Sequence, residues 1–129
     1  MTFNKYITID GKKDRPLIQI NRFEGQFCIK GNSYADDPRS AFTVFNEYLK
    51  EAIEAKKHVY LELEMMYMNT GSKLILNDAI TKIHEESKSY EILWLYSDED
   101  LLDEIDYMAY CTGATIGKRF RSIDEDSMP

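Results

Sequence analysis

The spacing of hydrophobic positions changes period along the chain. Tyr6-Ile7-Thr8-Ile9, Leu17-Ile18-Gln19-Ile20 and Gln26-Phe27-Cys28-Ile29 are short and rich in β-branched or aromatic residues, so the first thirty residues predict three strands. Asp10-Gly11 begins a turn and Pro16 closes a charged loop. Glu24-Gly25 predicts a hairpin between the second and third strands, with Gly25 taking a positive φ at little steric cost. The period then becomes helical. Phe42, Phe45, Leu49 and Ile53 form one apolar face, Glu47, Lys50, Glu51 and Glu54 fall mainly on the other, Asp36 or Asp37 is the expected cap, and Pro38 suits the first turn.

From Val59 to Met68 the period is two: Val59, Leu61, Leu63 and Met65 alternate with Tyr60, Glu62 and Glu64. Asn69-Thr70-Gly71-Ser72-Lys73 interrupts that strand, and a second helix follows with Ile75, Leu76, Ala79, Ile80 and Ile83 on its buried face. Glu91 to Tyr96 contains the run ILWLY, which predicts a strand covered on both faces. Ser97 or Asp98 is the expected cap of a third helix whose face holds Leu101, Leu102, Ile105, Met108 and Ala109, ended by Gly113 as an αL cap. Strands first, then alternating helix and strand, give an α/β single domain. Its sheet is mixed, with N-terminal antiparallel strands, parallel central strands on right-handed crossovers and about three to four helices. No repeat or linker divides residues 1–129, and the polar, acidic stretch from Ser122 to Pro129 is expected to fray.

Composition fits one soluble domain: 129 residues, 43% hydrophobic and 30% charged. No apolar run approaches the roughly 20 residues needed to cross a bilayer, and the N-terminus lacks the apolar core of a secretory signal. A cytoplasmic protein without membrane insertion is expected. Sixteen basic against 23 acidic residues, a net charge of −7, disfavour nucleic acid and anionic membranes as partners. Lys118, Arg119 and Arg121 are the one dense basic group.

Enzyme machinery is not evident. Cys28 and Cys111 lie far apart without a CxxC and read as two buried reduced thiols. His58 and His84 lack partners at metal-ligand spacing, so neither a metal nor a cofactor is expected. No phosphate-binding glycine loop or nucleophile elbow occurs. Asp98-Glu99-Asp100 and Asp103-Glu104 complement the dipole of the third helix, and Met65, Met66 and Met68 read as core packing. Tyr60, Glu62 and Glu64 share one face of the central strand, which a solvated face explains without chemistry.

The segment Tyr67–Leu76, YMNTGSKLIL, stands apart. A strand ends at Met68, and a helix starts within three residues. Asn69, Thr70 and Ser72 could each accept a hydrogen bond from the helix's free N–H groups, with Gly71 allowing a tight turn. Simple capping needs only one of them. A hydroxyl here is also a good phosphoacceptor, because its phosphate would meet unsatisfied N–H groups and the positive end of the dipole, with Lys73 close in sequence.

Several elements together resemble the SiaC family of bacterial regulatory phosphoproteins, similar in fold to the anti-sigma-factor antagonists (STAS domains). They are GNSYADDP from Gly31 to Pro38, the aromatic helix through Phe42 and Phe45, the strand into YMNTGSK, ILWLYSDED from Ile92 to Asp100, and the acidic helix after it. The resemblance implies a STAS-like, non-enzymatic switch. A threonine in the NT element is phosphorylated by a kinase of the histidine-kinase-like ATPase fold and dephosphorylated by a PP2C-type phosphatase. The unphosphorylated form binds and activates a diguanylate cyclase, raising cyclic di-GMP and favouring biofilm growth. By position the acceptor is Thr70, with Ser72 second. Asn69, Gly71, Ser72 and Lys73 form its loop, and Ser33 and Tyr34 lie beside it. Gly71 replaces one of the family's serines, and Ile105-Asp106 stands where the family has glycine-glutamate. The alternative is a STAS-like binding module, an anti-sigma-factor antagonist or another partner-switch regulator, in which Thr70 only caps the helix.

Overall fold

The computed structural model describes residues 6–121, so the tail expected to fray lies outside the described residues. The elements run β1 (Tyr6–Ile9), β2 (Leu17–Asn21), β3 (Gln26–Ser33), α1 (Arg39–Glu54), β4 (His58–Met68), α2 (Thr70–Glu86), β5 (Ser89–Tyr96), α3 (Leu101–Thr112) and β6 (Gly117–Phe120). The strands form one sheet in chain order; β1, β2 and β3 pair antiparallel, and β3 to β6 pair parallel. The expected mixed sheet is therefore present, with three helices among the described residues.

Register explains why one face is core. Ile18 pairs with Ile29, Ile20 with Phe27, Phe27 with Leu61, Leu61 with Ile92 and Leu63 with Trp94. Directly paired residues share a face, so these side chains form a continuous apolar surface. The helices cover it with Phe42, Phe45 and Leu49 of α1, Leu76, Ala79, Ile80 and Ile83 of α2, and Ile105 and Met108 of α3. Phe45 stands edge-on to Phe27, with ring centroids 5.4 Å apart. The opposite face carries Gln19, Cys28, Lys30, Tyr60, Glu62 and Glu64, the polar half of each alternation.

The β2–β3 hairpin closes as expected, with Gly25 at φ +67°. A Cβ there would sit 2.7 Å from the His58 carbonyl oxygen, so both backbone conformation and space demand glycine. Gly113 likewise ends α3 in the left-handed region.

Several expectations are corrected. Neither Asp36 nor Asp37 caps α1. Pro38 occupies the cap position without a side-chain bond, while Asp37 accepts from the Arg39 N–H at 3.2 Å and pairs with its guanidinium at 3.0 Å. The cap position of α3 is Asp100, not Ser97 or Asp98; Asp98 Oδ1 accepts from Asp100 N–H at 2.9 Å, in the turn before the helix. Strand β5 is covered on both faces only in part: adjacent Trp94 and Leu95 are both buried, whereas Leu93, paired with Glu62 on the face away from the helices, is half-buried. Ile75 is half-buried rather than buried. Both cysteines are free, but Cys28 is only half-buried on the open sheet face and Cys111 is exposed on α3. Strand β6 is not among the expected strands, because GKRF is short and charged. It forms against the edge of β5, and Arg121 N–H extends it by donating to Tyr96 O at 2.8 Å. This pairing disperses the basic group: Lys118 reaches Asp106 on one face and Arg121 reaches Glu64 on the other, each at 2.6 Å.

Candidate functional site

The chain turns from β4 into α2 at the carboxyl ends of the parallel strands. Asn69 makes that turn. Its backbone N–H donates to Ser33 O at 2.9 Å, its side-chain amide donates to Ala35 O at 3.0 Å, and its Oδ1 accepts from Ser72 N–H at 2.9 Å. Asn69 is thus the N-cap of α2 and also the tie to the end of β3. Ser33 Oγ and Ser72 Oγ lie 2.6 Å apart, both buried.

Thr70 is the first residue of α2 and is exposed. Capping is already supplied by Asn69, so the Thr70 hydroxyl is not needed for it. Ser72 has no accessible surface. Gly71 does not serve a turn, as the sequence suggested. It lies inside the helix against the Pro38 ring, where a Cβ would meet Pro38 Cγ at 3.1 Å. Lys73 pairs with Glu104 of α3. Tyr34 stands edge-on to Tyr67, with ring centroids 5.7 Å apart. All the residues singled out around the NT element therefore converge on one end of the sheet.

Exposed apolar residues at this end were missed by the sequence reading. Between Gly31 and Ser33, two steps of β3 span three steps of β4, from Met65 to Met68. The extra residue is a bulge, and it leaves consecutive Met66 and Tyr67 both outward, 57% and 58% exposed. Met65 and Met68 are core as expected; Met66 is not. Leu74, four residues after Thr70 and hence on its side of α2, is 59% exposed. The available signal was the loss of alternation after Met65.

The polar face of β4 does not assemble reactive groups. Tyr60 OH donates to Glu62 Oε1 at 2.9 Å, and Cys28 Sγ lies 3.8 Å from Oε2. Burial, then the neighbouring Glu62, push the Cys28 thiol up to about 11 and the Tyr60 phenol up to about 12. Both keep their protons at neutral pH. His58 Nδ1 contacts Ser89 Oγ and His84 Nδ1 contacts Tyr90 OH, each at 2.8 Å. No group of three His, Cys, Asp or Glu could hold a metal ion among the described residues. Nor is any helix among them long and apolar enough to cross a membrane.

The family model described as SiaC family regulatory phosphoprotein matches residues 9–116. The chain belongs to the SiaC family. Solved SiaC structures share its fold. Apo-SiaC from Pseudomonas aeruginosa superposes with a TM-score of 0.73 at 18% identity, covering 91% of this chain and 98% of that one. SiaC in the Pseudomonas aeruginosa complex of diguanylate cyclase SiaD with its activator SiaC gives 0.78 at 17% identity, covering 89% and 99%. No curated protein matches the chain. Within the SiaC fold, the Asn69 cap, the buried serine pair and the exposed Thr70 lie together where β4 passes into α2.

Proposed function

We propose that this chain is a non-enzymatic phospho-switch adaptor. Its unphosphorylated form binds and activates a diguanylate cyclase, and phosphorylation of Thr70 turns that interaction off. The observation that carries the reading is the exposed Thr70 hydroxyl at the start of α2, relieved of capping by Asn69 and bordered by exposed Met66, Tyr67 and Leu74. Family membership supports a cyclase as the partner, as does the complex in which diguanylate cyclase SiaD is bound to its activator SiaC.

In the forward step a kinase of the histidine-kinase-like ATPase fold moves the γ-phosphoryl group of ATP to Thr70 Oγ1. The Oγ1–P bond forms, the bond to the β-phosphate oxygen breaks, ADP leaves and the hydroxyl proton passes to a base or solvent. A PP2C-type phosphatase reverses it with water, releasing inorganic phosphate. The added charge of about −1.5 to −2 is favourable beside the helix N-terminus but unfavourable against an apolar docked surface. The buried, hydrogen-bonded oxygen of Ser72 favours Thr70 over it as acceptor.

The test is phosphorylation of wild type and Thr70→Ala by the cognate kinase with ATP, read by intact mass, followed by cyclase binding. Wild type gains one phosphate and loses the partner. Thr70→Ala gains none and keeps the partner. Equal phosphorylation of both would refute the site.

A further inference from the structure

Lys73 occupies a position that the capping geometry does not explain. It lies three residues after Thr70, hence on the same side of α2, where neighbours at this spacing are about 5–6 Å apart at Cβ. Its ammonium pairs with Glu104, in the first turn of α3. That ion pair joins the starts of two helices, and both partners are partly exposed, at 42% for Lys73 and 29% for Glu104. We propose that Lys73 is a shared counter-ion, which a phosphate on Thr70 draws away from Glu104, so that the modification is transmitted from α2 to α3. The proposal rests on the reading of Thr70 as the phosphoacceptor and adds how the signal spreads.

Charge decides the exchange. At equal distance a phosphate of nearly two charges attracts the ammonium about twice as strongly as one carboxylate. The four-carbon stem of lysine lets its ammonium reach either anion without moving the helix. Glu104 is then left without that cation, in a segment that already holds Asp98, Glu99, Asp100 and Asp103. These acids suit the dipole of α3, but without the Lys73 cation their mutual repulsion grows and loosens the first turn. This helix also presents Tyr107 and Tyr110 outward, 67% and 84% exposed, so its loosening alters an aromatic surface on a different helix from the modified residue.

The experiment installs phosphothreonine at position 70, genetically or by semisynthesis, in wild type, Lys73→Gln and Glu104→Gln. Amide hydrogen exchange over residues 101–106 is recorded with and without the phosphate, and a ³¹P titration is recorded on the three phosphorylated forms. In wild type, phosphate speeds exchange by about threefold or more. In unphosphorylated Lys73→Gln exchange is already fast, and phosphate adds nothing. The ³¹P midpoint, near 6 for an ordinary phosphothreonine, lies about half a pH unit lower in wild type than in Lys73→Gln. It is lowest in Glu104→Gln, where no carboxylate competes. Equal midpoints in wild type and Lys73→Gln, with α3 exchange insensitive to phosphate, would overturn the proposal. Failure of the acceptor reading gives a different pattern: midpoints and exchange differ as described, but the cognate kinase phosphorylates Thr70→Ala as readily as wild type.

Discussion

Ser33 Oγ lies 2.6 Å from Ser72 Oγ, and neither side chain reaches solvent. This one contact fastens the end of β3 to the first turn of α2, beneath Thr70. A hydroxyl left alone in such a place forfeits its hydration without compensation, at about 1–3 kcal/mol. Ser72→Ala is therefore expected to lower stability by that amount, with Thr70 still phosphorylated. The double variant Ser33→Ala with Ser72→Ala is expected to cost less than the two single changes together. Urea unfolding of the three variants checks both statements.

Asn69 and Thr70 are adjacent but differ in their structural work. Asn69→Ala removes the cap bond to Ser72 N–H and the bond to Ala35 O. A loss of about 1–2 kcal/mol is expected. Thr70→Ala changes an exposed side chain at the same helix end, and stability is expected to move by no more than about 0.5 kcal/mol. Thermal or urea denaturation of the pair decides whether Thr70 caps the helix. A loss at Thr70 comparable to that at Asn69 would favour the capping role.

The two thiols are expected to separate by reactivity. Cys111 is exposed, whereas Cys28 is half-buried with its thiol pushed up to about 11 from 9.0, by burial first and then by Glu62. Thiolate is the reacting form, so iodoacetamide at pH 8 labels Cys111 well before Cys28, as peptide mass mapping would show. Replacing Glu62 by Gln removes a charge that opposes ionisation and is expected to speed labelling of Cys28.

The same shift sets a pH dependence. Cys28 holds its proton more tightly in the folded chain than in the unfolded one, as does Tyr60, pushed up to about 12 from 10.0. Their contribution is fully present below pH about 9. It is lost as pH rises from there through about 11 for Cys28 and about 12 for Tyr60, because the unfolded chain releases protons first. Urea midpoints are expected to fall between pH 9 and 10.5, and to fall less in Cys28→Ser.

Gly25→Ala adds a Cβ 2.7 Å from the His58 carbonyl oxygen, at φ +67°. A cost of about 1–3 kcal/mol is expected, measurable by denaturation.

Periodicity made most of this fold legible. The alternation of Val59 to Met65 identified the central strand, and the spacing of Phe42, Phe45, Leu49 and Ile53 identified α1, because local repeats mirror which side faces the core. What escaped depends on contacts distant in sequence. β6 exists because β5 offers an unpaired edge, and its cations are matched by Asp106 and Glu64 from elsewhere in the chain. The bulge that turns Met66 and Tyr67 outward arises from the register between β3 and β4, which neither strand encodes alone. Around the NT element, the sequence offered three residues able to cap α2 without ranking them. Burial separated them, placing Asn69 at the cap, Ser72 inside and Thr70 in solvent.

The most direct test of the switch is a titration of one diguanylate cyclase with two preparations of this chain, unmodified and stoichiometrically phosphorylated on Thr70, read by calorimetry and by cyclic di-GMP synthesis. The unmodified chain is expected to bind and to raise synthesis, and the phosphorylated chain to bind about a hundredfold more weakly or not at all, a difference of about 2.7 kcal/mol. Equal binding and equal activation by the two preparations would contradict the account.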